Sequence, residues 1–273
     1  RLENARERLA RLLHVQMKEI VFTSGGTESD NLAILGVFEF AKQSVSRPHI
    51  IISSVEHSAV SEVAKEVERR GGEVTVVELE DGVVNANTVL KAIKDNTVLI
   101  SIVYANSHTG GINPIPKITR LVREVRNKNN SKYPLVHTDA TQALGLLEVS
   151  FPKLGADLVT LDASKISGPK GVSTLIVRSN ASMRPIIFGG GQEFGLRSGT
   201  ENLDAIEKFV RVVEDSEKTR EKNFAKLFGL KELFLSEVRL ALPEAVINTP
   251  ETSLPNMVSL SIPGALHEFL VIK

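Results

Sequence analysis

Short apolar runs, spaced by stretches of helical periodicity, are the feature that most constrains the fold of this 273-residue chain. The runs read "EIVFTS", "HIIISS", "EVTVVEL", "TVLISIVY", "PLVHTD" and "DLVTLD". Runs that are apolar throughout are typical of strands buried on both faces, as in a parallel sheet between helices. A further run, "VSTLIV", is compatible with an antiparallel strand. We therefore predict an α/β fold with a mostly parallel, seven-stranded sheet and helices on both faces.

The two ends of the chain predict helices and a second domain. The opening "RLENARERLARLL" has the period of an amphipathic helix, and a long amphipathic stretch runs from Glu201 to about Leu242. The closing "NMVSLSIPGALHEFLVIK" predicts one strand and the start of a helix. We expect a large domain at 1–215, then a connecting helix and an incomplete small α+β domain at 216–273. The chain is thus expected to be part of a longer protein.

Charge and composition narrow the class of partner. Lys plus Arg and Asp plus Glu both total 33, so no overall field favours nucleic acid or an acidic membrane. The apolar runs are too short to span a membrane and the first helix has no secretory core, which favours a cytoplasmic location. With no cysteine and six scattered histidines, a metal site is not expected. A small molecule is the expected partner.

Polar segments follow five of the runs, at the strand ends where parallel sheets bind their ligands. They are "SGGTESDN", "SVEHSAV", "ANSHTGG", "DATQALG" and "ASKISGPKG". Gly25, Gly26 and Thr27 lie at a strand-to-helix junction, where backbone amides can hold a phosphate or the residues can simply cap the helix. The glycine-rich "FGGGQEFGLRSGT" predicts a functional loop or an interface segment.

Side chains at these strand ends match the needs of pyridoxal phosphate. Asp139 could face a protonated ring nitrogen or merely cap the next turn, and His57 could stack on a flat ring or cap a helix. The cofactor needs a phosphate cradle, a flat neighbour, a buried acid, an amide donor and an amine for its aldehyde. The chain supplies these in Gly26, Thr27, His57, Asp139, Gln142 and Lys165.

Several longer stretches together carry a family resemblance. They are "FTSGGTESDNLAI", "SSVEHSAV", "LVHTDATQALG", "SKISGPKG", "GGGQEFGLRSGT" and "LPNMVSLS", in this order over nearly the whole chain. In these stretches the chain resembles the cysteine desulfurase and selenocysteine lyase group of class V aminotransferase-type enzymes. That resemblance implies fold type I and pyridoxal 5'-phosphate as the cofactor.

The resemblance also implies roles around the cofactor ring. Lys165 would bind the cofactor aldehyde covalently, and Asp139 would pair with the pyridinium nitrogen. His57 would stack on the ring and, with Lys165, carry protons as a catalytic residue. Gln142 would donate a hydrogen bond to the ring oxygen.

Further roles concern the phosphate and the assembly. Thr27 and the Gly26 backbone would bind the phosphate. Thr200 would reach the phosphate of the neighbouring subunit's cofactor, which implies a homodimer with active sites at the interface.

The implied reaction converts L-cysteine, or selenocysteine, to L-alanine. The sulfur would pass to a cysteine beyond Lys273 as a persulfide, and then to an acceptor or scaffold protein, as in iron–sulfur cluster assembly. Residues 1–273 alone are not expected to complete this reaction, because they contain no cysteine.

The chain departs from the family pattern at four positions. Ser164 replaces a histidine, although its hydroxyl could still donate to the phosphate. Asp162 replaces a phosphate-binding serine, and an anion beside a phosphate is unfavourable unless it points away. Asn106 is kept as a cofactor-binding candidate, but Ser107 and His108 replace an amide and an acid. His108 is then either a new acid or base or an ordinary loop histidine.

Two alternatives to a desulfurase remain open from the sequence. One is a related class V enzyme, such as a selenocysteine lyase or an aminotransferase-type enzyme. The other is a non-catalytic paralogue that keeps the fold and acts as an interaction module, which the replacements at 107, 162 and 164 favour.

Overall fold

A seven-stranded sheet forms the centre of the protein in a computed structural model that describes residues 1–264. The strands of the described residues are β1 (Ile20–Thr23), β2 (His49–Ser53), β3 (Glu73–Val77), β4 (Leu79–Glu80), β5 (Val83–Val84), β6 (Thr97–Ser101), β7 (Leu135–Asp139), β8 (Leu158–Leu161), β9 (Ser173–Val177), β10 (Val246–Ile247) and β11 (Leu260–Ser261). The central sheet has the order β1-β9-β8-β7-β6-β2-β3. All seven predicted runs form its strands.

Strand direction in the sheet follows the prediction. The pairs β2/β3, β2/β6, β6/β7 and β7/β8 are parallel. Only β9 runs against its neighbours β1 and β8, with Leu175 opposite both Val21 and Thr160. The carboxyl ends of the other six strands therefore lie at one edge.

Helices cover both faces, because successive strand residues point to opposite sides. The helices are α1 (Leu2–Leu13), α2 (Gly26–Ala41), α3 (Ser58–Arg69), α4 (Ala86–Lys91), α5 (Ile115–Asn129), α6 (Phe151–Leu154) and α7 (Leu203–Ala241). Ile51 and Ile100 pack in one core with residues of α1, α5 and α7. Ile50 and Leu99 pack in a second core with α2 and α3. This two-sided core confirms the predicted α/β class.

Helix α7 is 39 residues long and continuous through residue 215. The domain boundary expected at that residue therefore falls inside a helix, and it stays a prediction. The helix packs against α1 and against the short 3-10 turn Ala163–Ile166 that follows β8. Within residues 1–264, no helix is long and apolar enough to cross a membrane.

The last described residues form a small β unit. Strands β10 and β11 pair antiparallel, with Val246 opposite Ser261. The strand predicted from "NMVSLS" is therefore present. The helix predicted after it lies outside the described residues.

Candidate active site

A cavity of about 580 Å³ opens at the edge of the sheet where five strands end. Residues that follow β1, β2, β6, β7 and β8 line it, as the polar strand-end segments predicted. Its predicted members are Gly26, Thr27, His57, Asp139, Gln142, Ser164 and Lys165, and its further polar members include Asp30, Glu56, Ser107, His108, Thr141 and Asp162. Asn106 and Thr200 are not among the lining residues.

The start of α2 forms one wall of the cavity. Gly25 is the N-cap residue and has no side chain to bond the helix amides, so these amides face the cavity as anion donors. The Gly26 amide donates to Asp162 Oδ2 at 2.9 Å. Thr27 is exposed and lines the same space. A carboxylate thus lies at the helix start where a phosphate was expected.

Asp162 also shapes the turn that carries the candidate lysine. Its Oδ1 accepts a hydrogen bond from the Ser164 amide at 2.8 Å, which caps the 3-10 turn Ala163–Ile166. Lys165 lies in this turn, and its exposed side chain lines the cavity. Asp162, the residue at which this turn begins, is therefore hydrogen-bonded to the turn that carries Lys165. Ser164 takes part in this cap through its backbone amide.

Asp139 ends β7 and is 8 % exposed. Its Oδ1 accepts the Thr141 amide at 2.9 Å, so it does cap the turn that follows the strand. Burial raises the pKa of this carboxyl. Within the described residues it forms no salt bridge, although the carboxyl lines the cavity. A cation brought into the cavity would lower that pKa again by pairing with it.

His57 combines the two roles that the sequence left open. Its Nδ1 accepts the Ala59 amide at 3.1 Å and so caps α3, while the ring lines the cavity. Because Nδ1 accepts, a neutral ring carries its proton on Nε2. In this form Nδ1 is the basic nitrogen of the ring and Nε2–H is its hydrogen-bond donor.

Asn106 is 2 % exposed, and its side-chain amide forms hydrogen bonds that order the loop after β6. Its Oδ1 accepts the His108 and Thr109 amides, each at 2.8 Å, and its Nδ2 donates to the Val55 carbonyl at 3.0 Å. These bonds hold Ser107 and His108 at the cavity wall. A direct contact from Asn106 to a cofactor stays a prediction.

Thr200 lies apart from this cavity. It is exposed and lines a smaller pocket of about 50 Å³ with Arg197 and Asn202. Its predicted role toward a neighbouring subunit stays a prediction.

Two acids that line the cavity were missed by the sequence reasoning: Asp30, which is buried, and Glu56, whose Oε2 atom is buried. Burial raises the pKa of Glu56 to about 8, and burial followed by the Asp139 charge raises the pKa of Asp30 well above its usual range. Glu56 Oε2 and Asp30 Oδ1 have no hydrogen-bond partner within residues 1–264. A signal for Asp30 was available, since it shares a helix face with Ala33, Ile34 and Val37.

A neutral histidine lies next to Asp30. The His137 Nε2 is 3.6 Å from Asp30 Oδ1, and burial lowers the pKa of His137 to about 3. Ser101 and Thr160 hydroxyls bond the two ring nitrogens at 2.8 and 3.1 Å. His137 therefore stays neutral and does not compensate the acids of the cavity.

Comparison with known proteins gives one family. The family model described as Aminotransferase class-V matches residues 1–262. A cysteine desulfurase IscS of Dictyoglomus turgidum is 37% identical over 263 residues, which are 95% of this chain and 64% of that protein. A cysteine desulfurase IscS 1 of Archaeoglobus fulgidus is 37% identical over 275 residues, covering 100% of this chain and 69% of that protein. The chain thus spans about two thirds of these curated relatives.

Solved structures give the same result. A NifS-like protein superimposes with a TM-score of 0.91 at 37% identity, covering 98% of this chain and 72% of the other. DndA of Streptomyces lividans gives a TM-score of 0.88 at 29% identity, covering 99% and 75%. The predicted fold type is confirmed by these neighbours.

Proposed function

Because this chain belongs to the aminotransferase class-V family, we propose that the full-length protein is a pyridoxal-phosphate-dependent cysteine desulfurase. Two of its relatives carry that name at 37% identity. The observation that carries the proposal is the convergence of Lys165, His57 and Asp139 on one cavity at the sheet edge. Four of the six stretches that suggested the family contribute residues to this cavity.

The residues of the cavity suit most of the cofactor. The cavity holds a raised-pKa carboxyl at Asp139 that lacks a salt bridge among residues 1–264, and a protonated ring nitrogen would supply that partner. Lys165 offers an amine for the aldehyde, and His57 offers a ring to stack on the cofactor. Gln142 would donate to the ring oxygen. At the phosphate end, Thr27 and the Gly26 amide fit, whereas Asp162 already accepts from that amide.

The residues then divide the work of the reaction. Pyridoxal phosphate supplies an electron-withdrawing ring that stabilises negative charge on the substrate α-carbon. Lys165 would hold the cofactor through its amine and the aldehyde, and the same amine would be the group that accepts the substrate α-proton. Asp139 would hold the ring nitrogen and keep it protonated. His57 would be the second proton carrier. Because its Nδ1 is the basic nitrogen of the neutral ring, uptake of a proton would release the cap on α3, while Nε2–H is its donor.

The overall change is balanced without an external oxidant or reductant. The substrate C–S bond breaks, an S–S bond forms on an acceptor thiol, and a proton replaces sulfur on the β-carbon to give L-alanine. Since residues 1–273 contain no cysteine, we propose that the thiol comes from outside them. The persulfide would then pass to an acceptor protein. Cysteine is proposed as the substrate, with selenocysteine as its nearest analogue.

A homodimer and a cytoplasmic location belong to the same proposal. The exposed Thr200 and the exposed Phe188 and Phe194 of the glycine-rich loop support an interface at this loop. Sedimentation of the full-length protein tests the dimer, and cell fractionation tests the location.

Covalent labelling tests the proposal directly. Full-length protein is mixed with pyridoxal phosphate, the visible band is recorded, and the product is reduced with borohydride and mapped by peptide. We expect the label on Lys165, its loss in Lys165→Ala, and its retention in Lys170→Ala, an exposed lysine five residues later. Release of alanine from cysteine would accompany it. Label on another lysine would contradict the assignment.

One observation favours a second candidate, the non-catalytic interaction module. The Asp162 carboxylate occupies the amide at the start of α2, which weakens the case for a phosphate there. If full-length protein forms no visible band at millimolar pyridoxal phosphate yet stays folded and dimeric, this second candidate is the better reading.

A further inference from the structure

Asp162 joins two parts of the proposed cofactor site. Its Oδ2 accepts the first amide of α2, and its Oδ1 accepts the Ser164 amide in the lysine turn. The residue is only partly exposed, and its side chain lines the cavity. It therefore bridges the helix start and the turn of Lys165 with both carboxylate oxygens in use.

The Asp162 carboxylate lies at the start of α2, among hydrogen-bond donors that could bind an anion. A Cβ built on Gly26 would lie 3.5 Å from Asp162 Oδ2 and 3.5 Å from Thr141 Oγ1. The Thr141 hydroxyl is buried and has no hydrogen-bond partner within residues 1–264. An amide at a helix start, a buried hydroxyl without a partner and a turn amide together form an anion cradle. In this chain its anion is a side chain.

We propose that Asp162 is a built-in anion that competes with the cofactor phosphate for the start of α2. This inference rests on the proposed function for the identity of the cofactor. A phosphate bound there must displace the carboxylate or accept a negative charge a few ångströms away, and either costs binding free energy. The chain is thus expected to distinguish poorly between pyridoxal phosphate and unphosphorylated pyridoxal. The phosphate contributes little to the affinity of this site.

Substitution of Asp162 tests the proposal by binding alone. Asp162→Ser keeps a side-chain oxygen that can cap the Ser164 amide, because serine and aspartate are both good caps. Asp162→Asn keeps the size of the side chain and removes the charge. Asp95→Ser is the matched control, since Asp95 is exposed in the loop before β6 and loses the same charge. Thermal melting confirms that each variant is folded.

Cofactor titration of the full-length protein is the first measurement. We expect Asp162→Ser to bind pyridoxal phosphate at least about tenfold more tightly than wild type, with Asp162→Asn between them. The affinity for pyridoxal should stay unchanged, as should both affinities in Asp95→Ser. Equal affinity of wild type and Asp162→Ser for pyridoxal phosphate would overturn the proposal. So would an equal change for pyridoxal phosphate and pyridoxal, since that indicates a structural role.

Inorganic phosphate separates this inference from the proposed function. In a Lys165→Ala variant, no covalent attachment at that lysine can occur. Calorimetry with inorganic phosphate then measures the affinity of the anion cradle at the start of α2. We expect binding in the Asp162→Ser, Lys165→Ala double variant and at least about tenfold weaker binding in Lys165→Ala. Equal phosphate binding would overturn the inference even if Lys165 carries the cofactor. Failure of labelling at Lys165 would sink the proposed function while this comparison still decides the role of Asp162.

Discussion

At the scale of single residues, the cavity is defined by acids that burial has made hard to ionise. Asp30, Glu56 and Asp139 all have a raised pKa, and burial is the main cause for each. Charges of the same sign in one enclosed site add to this effect, because each disfavours ionisation of the others. The acids that surround the site therefore destabilise the protein once they lose their protons, unless a cation joins them.

The pKa of Glu56 sets a pH range over which the free energy of unfolding should change. Its pKa is about 8 in the folded protein against an ordinary 4.5, so the folded state binds the proton more tightly. Its stabilising contribution is complete below about pH 4.5 and is lost as pH rises through about 8. We expect the free energy of unfolding, measured in urea without cofactor, to fall across this window. Glu56→Gln should flatten the fall by up to about 1.4 kcal/mol per pH unit.

A matched control for this prediction lies on the next helix. Glu62 is exposed on α3, and Glu62→Gln should leave the pH slope as in wild type. An unchanged slope in Glu56→Gln would show that its carboxyl is already ionised in the folded protein.

At the scale of elements, two glycines in helices have opposite surroundings. Gly36 lies in α2, where a Cβ would be 2.8 Å from the Arg184 carbonyl oxygen and 2.8 Å from Met183 Cε. Gly229 lies in α7, where a Cβ would meet no atom of residues 1–264 within 4 Å. The first glycine permits close packing of a following segment, and the second only lowers helix propensity.

Alanine at these two positions should change stability in opposite directions. Gly36→Ala is expected to destabilise the protein by about 1–3 kcal/mol, because the Arg184 backbone must move. Gly229→Ala is expected to stabilise it by up to about 1 kcal/mol through helix propensity. Urea unfolding measures both. Equal effects would mean that the segment around Arg184 shifts without cost.

A buried ion pair connects α1 to the glycine-rich loop. Arg6 and Glu193 have side chains 3% and 0% exposed, and their two hydrogen bonds measure 2.9 and 2.7 Å. Glu193 also accepts the Phe22 amide at 2.8 Å, and Arg6 donates to the Ile20 carbonyl at 2.7 Å. The glycine-rich loop is therefore anchored to α1 and β1 through Glu193.

Removal of one partner should lower the free energy of unfolding much more in this buried ion pair than in an exposed ion pair. Glu193→Ala leaves the Arg6 charge buried without its carboxylate and is expected to cost about 3–5 kcal/mol of unfolding free energy. Glu7→Ala breaks the exposed Arg11 pair and is expected to cost less than about 1 kcal/mol. Similar losses in both variants, measured in urea, would argue against a buried charge at Arg6.

At the scale of the whole molecule, the proposed dimer predicts exchange of one residue between subunits. If Thr200 serves the partner's cofactor, a mixed dimer of Lys165→Ala and Thr200→Val chains contains one complete site. With both chains carrying Asp162→Ser, so that the phosphate has access to the start of α2, we expect pyridoxal phosphate to bind this site as in the Asp162→Ser parent, whereas Thr200→Val homodimers bind it more weakly. Mixed dimers isolated with two affinity tags and titrated by absorbance provide the measurement. Weak binding in the mixed dimer would place the action of Thr200 within its own chain.

The sequence predicts the sheet well because all of its strands except the edge strand β3 are buried on both faces. Two-sided burial leaves uninterrupted apolar runs, and polar residues such as Asp139 and Lys165 then stand out at their ends. The hairpin β4–β5 and helix α4 were missed, since elements of two and six residues carry little periodicity. The Arg6–Glu193 pair could not be predicted, because its partners are 187 positions apart and one lies in a glycine-rich loop.

The direction of Asp162 was also beyond the sequence. The replacement of a serine was visible, but whether the carboxylate points toward α2 depends on how β1 and β8 place two separate turns side by side. The hydrogen bond from Gly26 supplies that answer. The sequence therefore predicted which strand ends meet at one edge, and the structure shows that Asp162 accepts the first amide of α2 there.

The long helix α7 connects a distant part of the molecule to the turn that carries Lys165. At 1.5 Å per residue its 39 residues measure roughly 58 Å, and Ser216 lies about a third of the way along. There Gly145 is wedged between the helix and the lysine turn, since a Cβ on it would be 3.3 Å from Ser216 and 3.0 Å from Ile166. If the end of α7 near Ala241 tilts, the helix would therefore also move at Ser216, by a smaller distance. Through Gly145 and Ile166, that movement would shift the turn that carries Lys165.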